Sequence, residues 1–144
     1  MLFRSEVQKF LEAKGLTVTQ YPFADSNDMA AVTQTACDNS DVIYVPTDNT
    51  VASSTGIIDG ICQPAGVPVI AGEEGICAGC GVATLSISYY DLGVKTGEMA
   101  VKILKGEANV AEMAIEYAPA TKKYNAAICE ALGITPIEGY EAIA

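Results

Sequence analysis

The architecture of this chain turns on Asp41-Val-Ile-Tyr-Val-Pro-Thr-Asp-Asn-Thr50. Val42 to Val45 is a short apolar, partly β-branched run, the pattern of a buried strand. Pro46 has no N–H to give to a ladder, so the strand stops there. Thr47, Asp48, Asn49 and Thr50, four polar residues with side-chain oxygens, then lead into a helical run that extends to Gln63. A strand that turns into a helix through polar residues is the carboxyl end of a strand in an open α/β sheet, the edge where such sheets bind ligands.

Outward from this corner, helices and strands alternate with short connections. Val7, Phe10, Leu11 and Lys14 share helical spacing over residues 5–14, with Ser5 as cap and Gly15 as stop. Leu16–Tyr21 has the β-branched content of a strand. Asp25, Ser26, Asn27 and Asp28 are N-cap candidates for a helix at about 29–37. After the corner, Val51, Thr55, Ile58 and Ile61/Cys62 line one face of a helix ended by Pro64 and Gly66. Val67–Ala71 is a second buried strand, residues 72–81 a glycine- and cysteine-containing loop, and Val82–Ile87 a third strand. That loop is short for a parallel crossover, so a single helical turn or an antiparallel neighbour is required.

The strongest helical signal covers 91–105, where Leu92, Thr96, Met99/Ala100 and Ile103 form the apolar stripe and Gly106 closes it. Met113–Tyr117 is a candidate strand ended by Pro119. Asn125 caps a last helix at 126–132, and the tail beyond Pro136 has no strong signal. The expected architecture is α/β, a doubly wound and mostly parallel sheet covered on both faces. The first helix lacks a preceding strand, apart from Met1-Leu-Phe3, so the chain reads as beginning within a fold.

Composition narrows the function classes. The 144 residues suffice for one domain with a core, and half of them are hydrophobic. Eight basic against eighteen acidic residues give a net charge of −10, which argues against nucleic acid or an anionic membrane surface as partner. No apolar run reaches the ~20 residues of a membrane span, and no secretion signal is expected in a chain whose Met1-Leu-Phe-Arg4 leads into a polar helix. Without histidine, the usual acid/base switch and the commonest zinc ligand are missing. Neither a G-x-S-x-G nor a phosphate-cradling glycine loop occurs, so no catalytic residue, metal site or cofactor is assigned.

Five cysteines, at 37, 62, 77, 80 and 129, cannot all pair within one chain. Cys77-Ala-Gly-Cys80 is a CxxC, but redox motifs of this kind open a helix that lowers a thiol pKa. In a glycine-rich loop before a strand, a structural or incidental pair, a local disulfide included, is the stronger reading. Three polar clusters instead follow predicted strands: Thr47-Asp48-Asn49, Glu73-Glu74 and Ser88-Tyr89-Tyr90-Asp91. If the strands are parallel neighbours, all three open on one edge. Carboxylates there suit an ammonium, and amide and hydroxyl groups suit a carboxylate, as a small zwitterion requires. The plain alternatives are helix capping at Asp48–Thr50, a solvated turn at Glu73–Glu74 and helix stapling by a tyrosine.

Four segments in this order and spacing carry a family resemblance: Asp41–Ser53, Pro68-Val-Ile-Ala-Gly-Glu-Glu-Gly75, Ala83–Gly93 and Met99-Ala-Val-Lys-Ile-Leu-Lys-Gly106, followed by Ala131-Leu-Gly-Ile-Thr135. With them the chain, from about Glu6 to about Ile137, resembles the substrate-binding proteins of ABC transporters that include tryptophan/tyrosine-type amino-acid binders. The resemblance implies one lobe of a type I periplasmic-binding fold, in which two lobes close on a ligand about a hinge. It implies a chain about half the usual length, a truncated product or fragment: residues 1–87 as the second lobe without its opening strand, and residues 88–144 as the hinge crossing and a segment for an absent first lobe.

The same resemblance implies the roles of the site. Asp48 and Glu73 would take the ligand ammonium, Thr47, Asn49 and Ser88 would orient it, and Tyr89 or Tyr90 would pack on its side chain. It implies an amino-acid ligand, with an aromatic one favoured, an ABC permease subunit as partner and an extracytoplasmic location for the full-length parent, with no direct membrane insertion. The competing expectations are a sensory module of the same fold bound to a receptor, and a thiol oxidoreductase using Cys77 and Cys80.

Overall fold

The computed structural model describes residues 2–143. Within these residues five strands form one mixed sheet in the order β1-β2-β3-β4-β5: Ile43–Val45, Val69–Ala71, Ala83–Ile87, Ala120–Tyr124 and Glu141–Ala142. β1, β2 and β3 are parallel neighbours, β4 runs antiparallel to β3, and β5 pairs parallel with β4. Among the described residues seven helices accompany them: α1 Leu2–Glu12, α2 Ser26–Asp38, α3 Asn49–Ala52, α4 Thr55–Ala65, α5 Glu74–Cys80, α6 Tyr89–Leu104 and α7 Ala126–Ala131. The expected mixed α/β architecture with a mostly parallel sheet is the one observed.

The core follows from helical spacing on α2, α4 and α5. Met29, Thr33, Ala36 and Cys37 of α2, Ile58 and Cys62 of α4, and Ile76, Cys77 and Cys80 of α5 are buried. They close over Val45, Val69 and Ala71 from the strands. Burying a side chain such as Met29, Val69 or Ile76 contributes about 1.5–3 kcal/mol. α4 packs on both α2 and α5. A smaller cluster of Val82, Ile128 and Cys129 joins α7 to the sheet.

Several expectations are corrected. Leu16–Tyr21 forms no strand, because strand content needs a ladder partner and among the described residues no ladder extends past β1, which is an edge of the sheet. Tyr21 and Pro22 instead lie along α2, lining a hollow with Ala31, Val32 and Thr35. The helix expected over 51–63 is broken in two at Ser53–Ser54, where the Ser53 hydroxyl donates to the Thr50 carbonyl at 2.9 Å, competing with the helical ladder. Pro64 is accommodated within the last turn, and Gly66, at φ 72°, ends α4. Ser5, the expected cap, falls within the span of α1.

The loop at 72–81 is the helix α5, which supplies the crossover between parallel β2 and β3. Cys77 and Cys80 are therefore helical. The glycine between them has a packing reason: a Cβ on Gly79 would collide with the Thr55 side chain at the start of α4. Met113–Tyr117 is unpaired, and its Glu116 lies by α6, within 3.3 Å of Lys95 and 3.6 Å of Lys102. The strand is β4, which begins after Pro119, a position a proline tolerates because the ladder has not yet started.

α6 is amphipathic as expected, yet none of its side chains is fully buried. Leu92, Met99 and Ile103 are half-buried, while Val94, Val101 and Leu104 are exposed. No described helix is long and apolar enough to cross a membrane.

Candidate ligand-binding wall

The three polar clusters stand at the carboxyl ends of β1, β2 and β3, and the parallel pairing opens all three on one edge of the sheet. Each begins a helix by the same device. Asp48 caps α3, its Oδ1 accepting from Thr50 N at 2.9 Å and Val51 N at 3.1 Å. Glu73 caps α5, its Oε2 accepting from Gly75 N at 2.8 Å and its Oε1 from Ile76 N. Ser88 caps α6, its Oγ accepting from Asp91 N at 3.1 Å. A side chain that satisfies an orphan helical N–H is held in one orientation, so the caps fix these groups on the rim.

The first two corners are also locked to each other. Gly72 N donates to Val45 O at 2.8 Å, and the Thr47 hydroxyl donates to Gly72 O at 3.3 Å. A Cβ on Gly72 would lie 2.6 Å from Thr47 N, so only glycine allows this approach.

A cleft of about 470 Å³ lies beside the β2 and β3 ends, lined by Glu73, Glu74, Gly75, Ser86, Ile87, Ser88, Tyr89, Thr121, Lys123 and Glu141. Its volume is within the ~300–1,000 Å³ range of small-molecule sites. Of the residues expected at the site, Glu73, Ser88 and Tyr89 come together here. Thr47 and Asp48 sit at the neighbouring strand end, Asn49 is exposed beside them, and Tyr90 is 80% exposed outside the lining.

Lys123, Thr121 and Glu141 were not legible as site residues. They reach the cleft because β4 and β5 join the sheet beyond β3, and Pro119 had argued for a strand end there. The period-two spacing of Thr121 and Lys123 is the signal that identifies them. Lys123 Nζ holds Glu74 Oε1 at 2.9 Å, placing a cation among carboxylates. A wall with Glu73, Glu141 and Lys123 at its rim and the exposed ring of Tyr89 can receive both ends of a zwitterion and an apolar side chain.

The CxxC has none of the features of a redox centre. Cys77 and Cys80 are buried and donate to the carbonyls of Gly81 at 3.5 Å and Ile76 at 3.4 Å. Burial, aided by neighbouring carboxylates and, for Cys77, by neighbouring thiols, pushes both thiols up to about 12, the opposite of a nucleophilic cysteine. Of the structural or incidental pair expected here, with a local disulfide as one form, the structure shows two separate thiols. Among the described residues no cluster of His, Cys, Asp and Glu could hold a metal ion.

Comparison with known proteins gives the family. The chain is 41% identical over 68 residues to a tyrosine-binding protein of Clostridioides difficile, a match covering 47% of this chain and 20% of that protein. The ligand-free, open structure of a substrate binding protein with adhesive properties from Clostridium difficile matches with TM-score 0.76 and 34% identity, over 95% of this chain and 47% of that one. A Streptococcus pneumonia ABC domain in complex with L-Trp matches with TM-score 0.82 and 30% identity, over 97% and 50%. A conserved domain protein from Vibrio cholerae has TM-score 0.83 and 26% identity, over 99% and 50%. The chain thus spans about half the length of the structures it matches, and its 68-residue match covers a fifth of that tyrosine-binding protein. With residues 4–140 matching as a unit, the chain belongs to the ABC transporter substrate binding protein family.

Proposed function

We propose that the chain supplies one wall of an amino-acid-binding cleft in an ABC transport system and passes its ligand to a permease subunit. The observation that carries this reading is the set of three capped strand ends on one sheet edge, with Glu73, Ser88 and Tyr89 in a single cleft beside Lys123. Family membership and the tyrosine- and tryptophan-binding relatives support an amino acid, and an aromatic one, as ligand.

In this reading Glu73, with Asp48 at the next strand end, receives the ammonium, and Lys123 receives the carboxylate. Thr47, Asn49 and Ser88 orient the polar end, and Tyr89 or Tyr90 covers the side chain. Residues 1–87 act as a lobe, and the segment from Ser88 leads to the hinge and an opposing lobe, whose closure traps the ligand. The work is binding without catalysis, outside the cytoplasm. Because one wall makes only part of the contacts, the affinity of this chain alone is low.

Thermal melting with a panel of amino acids tests the ligand class. A ligand at about 100 times its Kd stabilises by about 2.7 kcal/mol. This chain should show that shift only at high concentrations of L-tryptophan or L-tyrosine, and a two-lobed protein containing this sequence should show it at low ones. A large shift of the single chain at micromolar ligand sinks the one-wall reading. No shift of the two-lobed protein with any amino acid sinks the ligand class.

A further inference from the structure

The fold brings two cysteines together that are 25 positions apart in sequence. Cys37 Sγ of α2 lies 3.3 Å from Cys62 Sγ of α4, both buried where the two helices pack. The other three thiols each donate to a backbone carbonyl: Cys77 to Gly81, Cys80 to Ile76 and Cys129 to Val82. Among the described residues, Cys37 and Cys62 have only each other as hydrogen-bond partner. We propose that Cys37 and Cys62 are a modification site, oxidised to an intramolecular disulfide that ties α2 to α4.

The sulfurs need close only from 3.3 Å to the ~2.05 Å of a disulfide. The oxidant is a low-molecular-weight disulfide. One cysteine thiolate attacks it, forming a mixed disulfide and releasing one small thiol. The second thiolate then displaces the other small thiol, so the protein loses two electrons and two protons and the oxidant gains them. Burial first, then the hydrogen bond and charge of Cys37, keeps the Cys62 thiol protonated in the folded chain. Oxidation therefore proceeds while the helices are still docking, or through local opening, and slowly in the closed fold. The bond closes a loop containing β1, Thr47, Asp48, Asn49 and α3, so it restrains one corner of the candidate wall and the unfolded chain alike.

The unmodified chain, reduced and unfolded, is refolded in a mixture of reduced and oxidised glutathione, then denatured, alkylated and weighed. Three alkylated thiols in place of five, with a Cys37–Cys62 linked peptide on mapping, are expected. Five alkylated thiols, a link between any other pair, or a stable glutathione adduct at Cys37 or Cys62 overturns the proposal. The oxidised chain should melt at a higher temperature than the same chain in reductant. Equal melting temperatures contradict a bond between α2 and α4. A Cys77→Ala, Cys80→Ala, Cys129→Ala variant keeps the pair alone and should lose both alkylation sites on oxidation. Should that variant not fold, Cys129→Ala alone, expected to show two alkylated thiols, decides the same question, and four would refute it. The result is independent of what the cleft binds.

Discussion

Thr47 and Gly72 lock two strand ends together: the threonine hydroxyl reaches the glycine carbonyl at 3.3 Å, and a Cβ at Gly72 would stand 2.6 Å from Thr47 N. The obstacle is backbone, which has no rotamer to yield. Gly72→Ala should therefore destabilise the protein by about 1–3 kcal/mol, the usual range for overpacking. Thermal denaturation measures it, and an unchanged melting temperature would show that the corner is loose.

The caps separate structural from ligand-facing roles at the β1 end. Asp48→Ala removes an oxygen that holds two backbone N–H groups of α3 and should cost ~1 kcal/mol. Asn49→Ala, at an exposed position, should change stability by under about 0.5 kcal/mol. Parallel denaturant titrations compare them. A ligand titration then asks which loses affinity, and both are expected to.

Lys123 distinguishes an ion pair from a binding group. Its bond to Glu74 is partly exposed, with the side chains 25% and 40% accessible, so Lys123→Met should change stability by no more than about 1 kcal/mol. If Lys123 takes a ligand carboxylate, the same change weakens amino-acid binding far more than it weakens the fold. Equal, small effects on both would reduce Lys123 to a surface pair.

The buried thiols give the stability a direction with pH. Cys77 and Cys80 are pushed from an ordinary 9.0 up to about 12, mainly by burial. Above pH 9 the unfolded chain releases protons that the folded chain retains, so stability is fully present below that value and falls as pH rises toward about 12. Urea midpoints measured from pH 8 upward under reducing conditions should decline, and Cys77→Ala, Cys80→Ala should flatten part of the decline. A midpoint constant over this interval would mean that the thiols titrate alike in both states.

Much of this was legible because local signals and tertiary context agreed. Val42–Val45, Val67–Ala71 and Val82–Ile87 are apolar runs with turn signals at their ends, and each contains one of the three parallel strands. Asp25 and Asn125 cap α2 and α7 through their own side chains, as small polar residues before helices do. What was missed depended on partners distant in sequence. Leu16–Tyr21 has strand composition and no ladder, while Ala120–Tyr124, with two lysines, becomes a strand because β3 pairs with its whole length. Glycines at 75 and 79 hid α5, whose helical state is set by the Glu73 cap and by seating on Thr55. Lys123 and Glu141 stayed hidden for the same reason as their strands.

The most direct test of the account is an amide-resolved NMR titration of this chain with L-tryptophan and L-tyrosine. A one-wall amino-acid site should give weak, saturable shifts at Glu73, Gly75, Ser88, Tyr89 and Lys123, smaller ones at Asp48 and Asn49, and none at α1. Perturbations centred elsewhere, such as the hollow between Tyr21 and α2, or none up to the solubility limit of either amino acid, would contradict it.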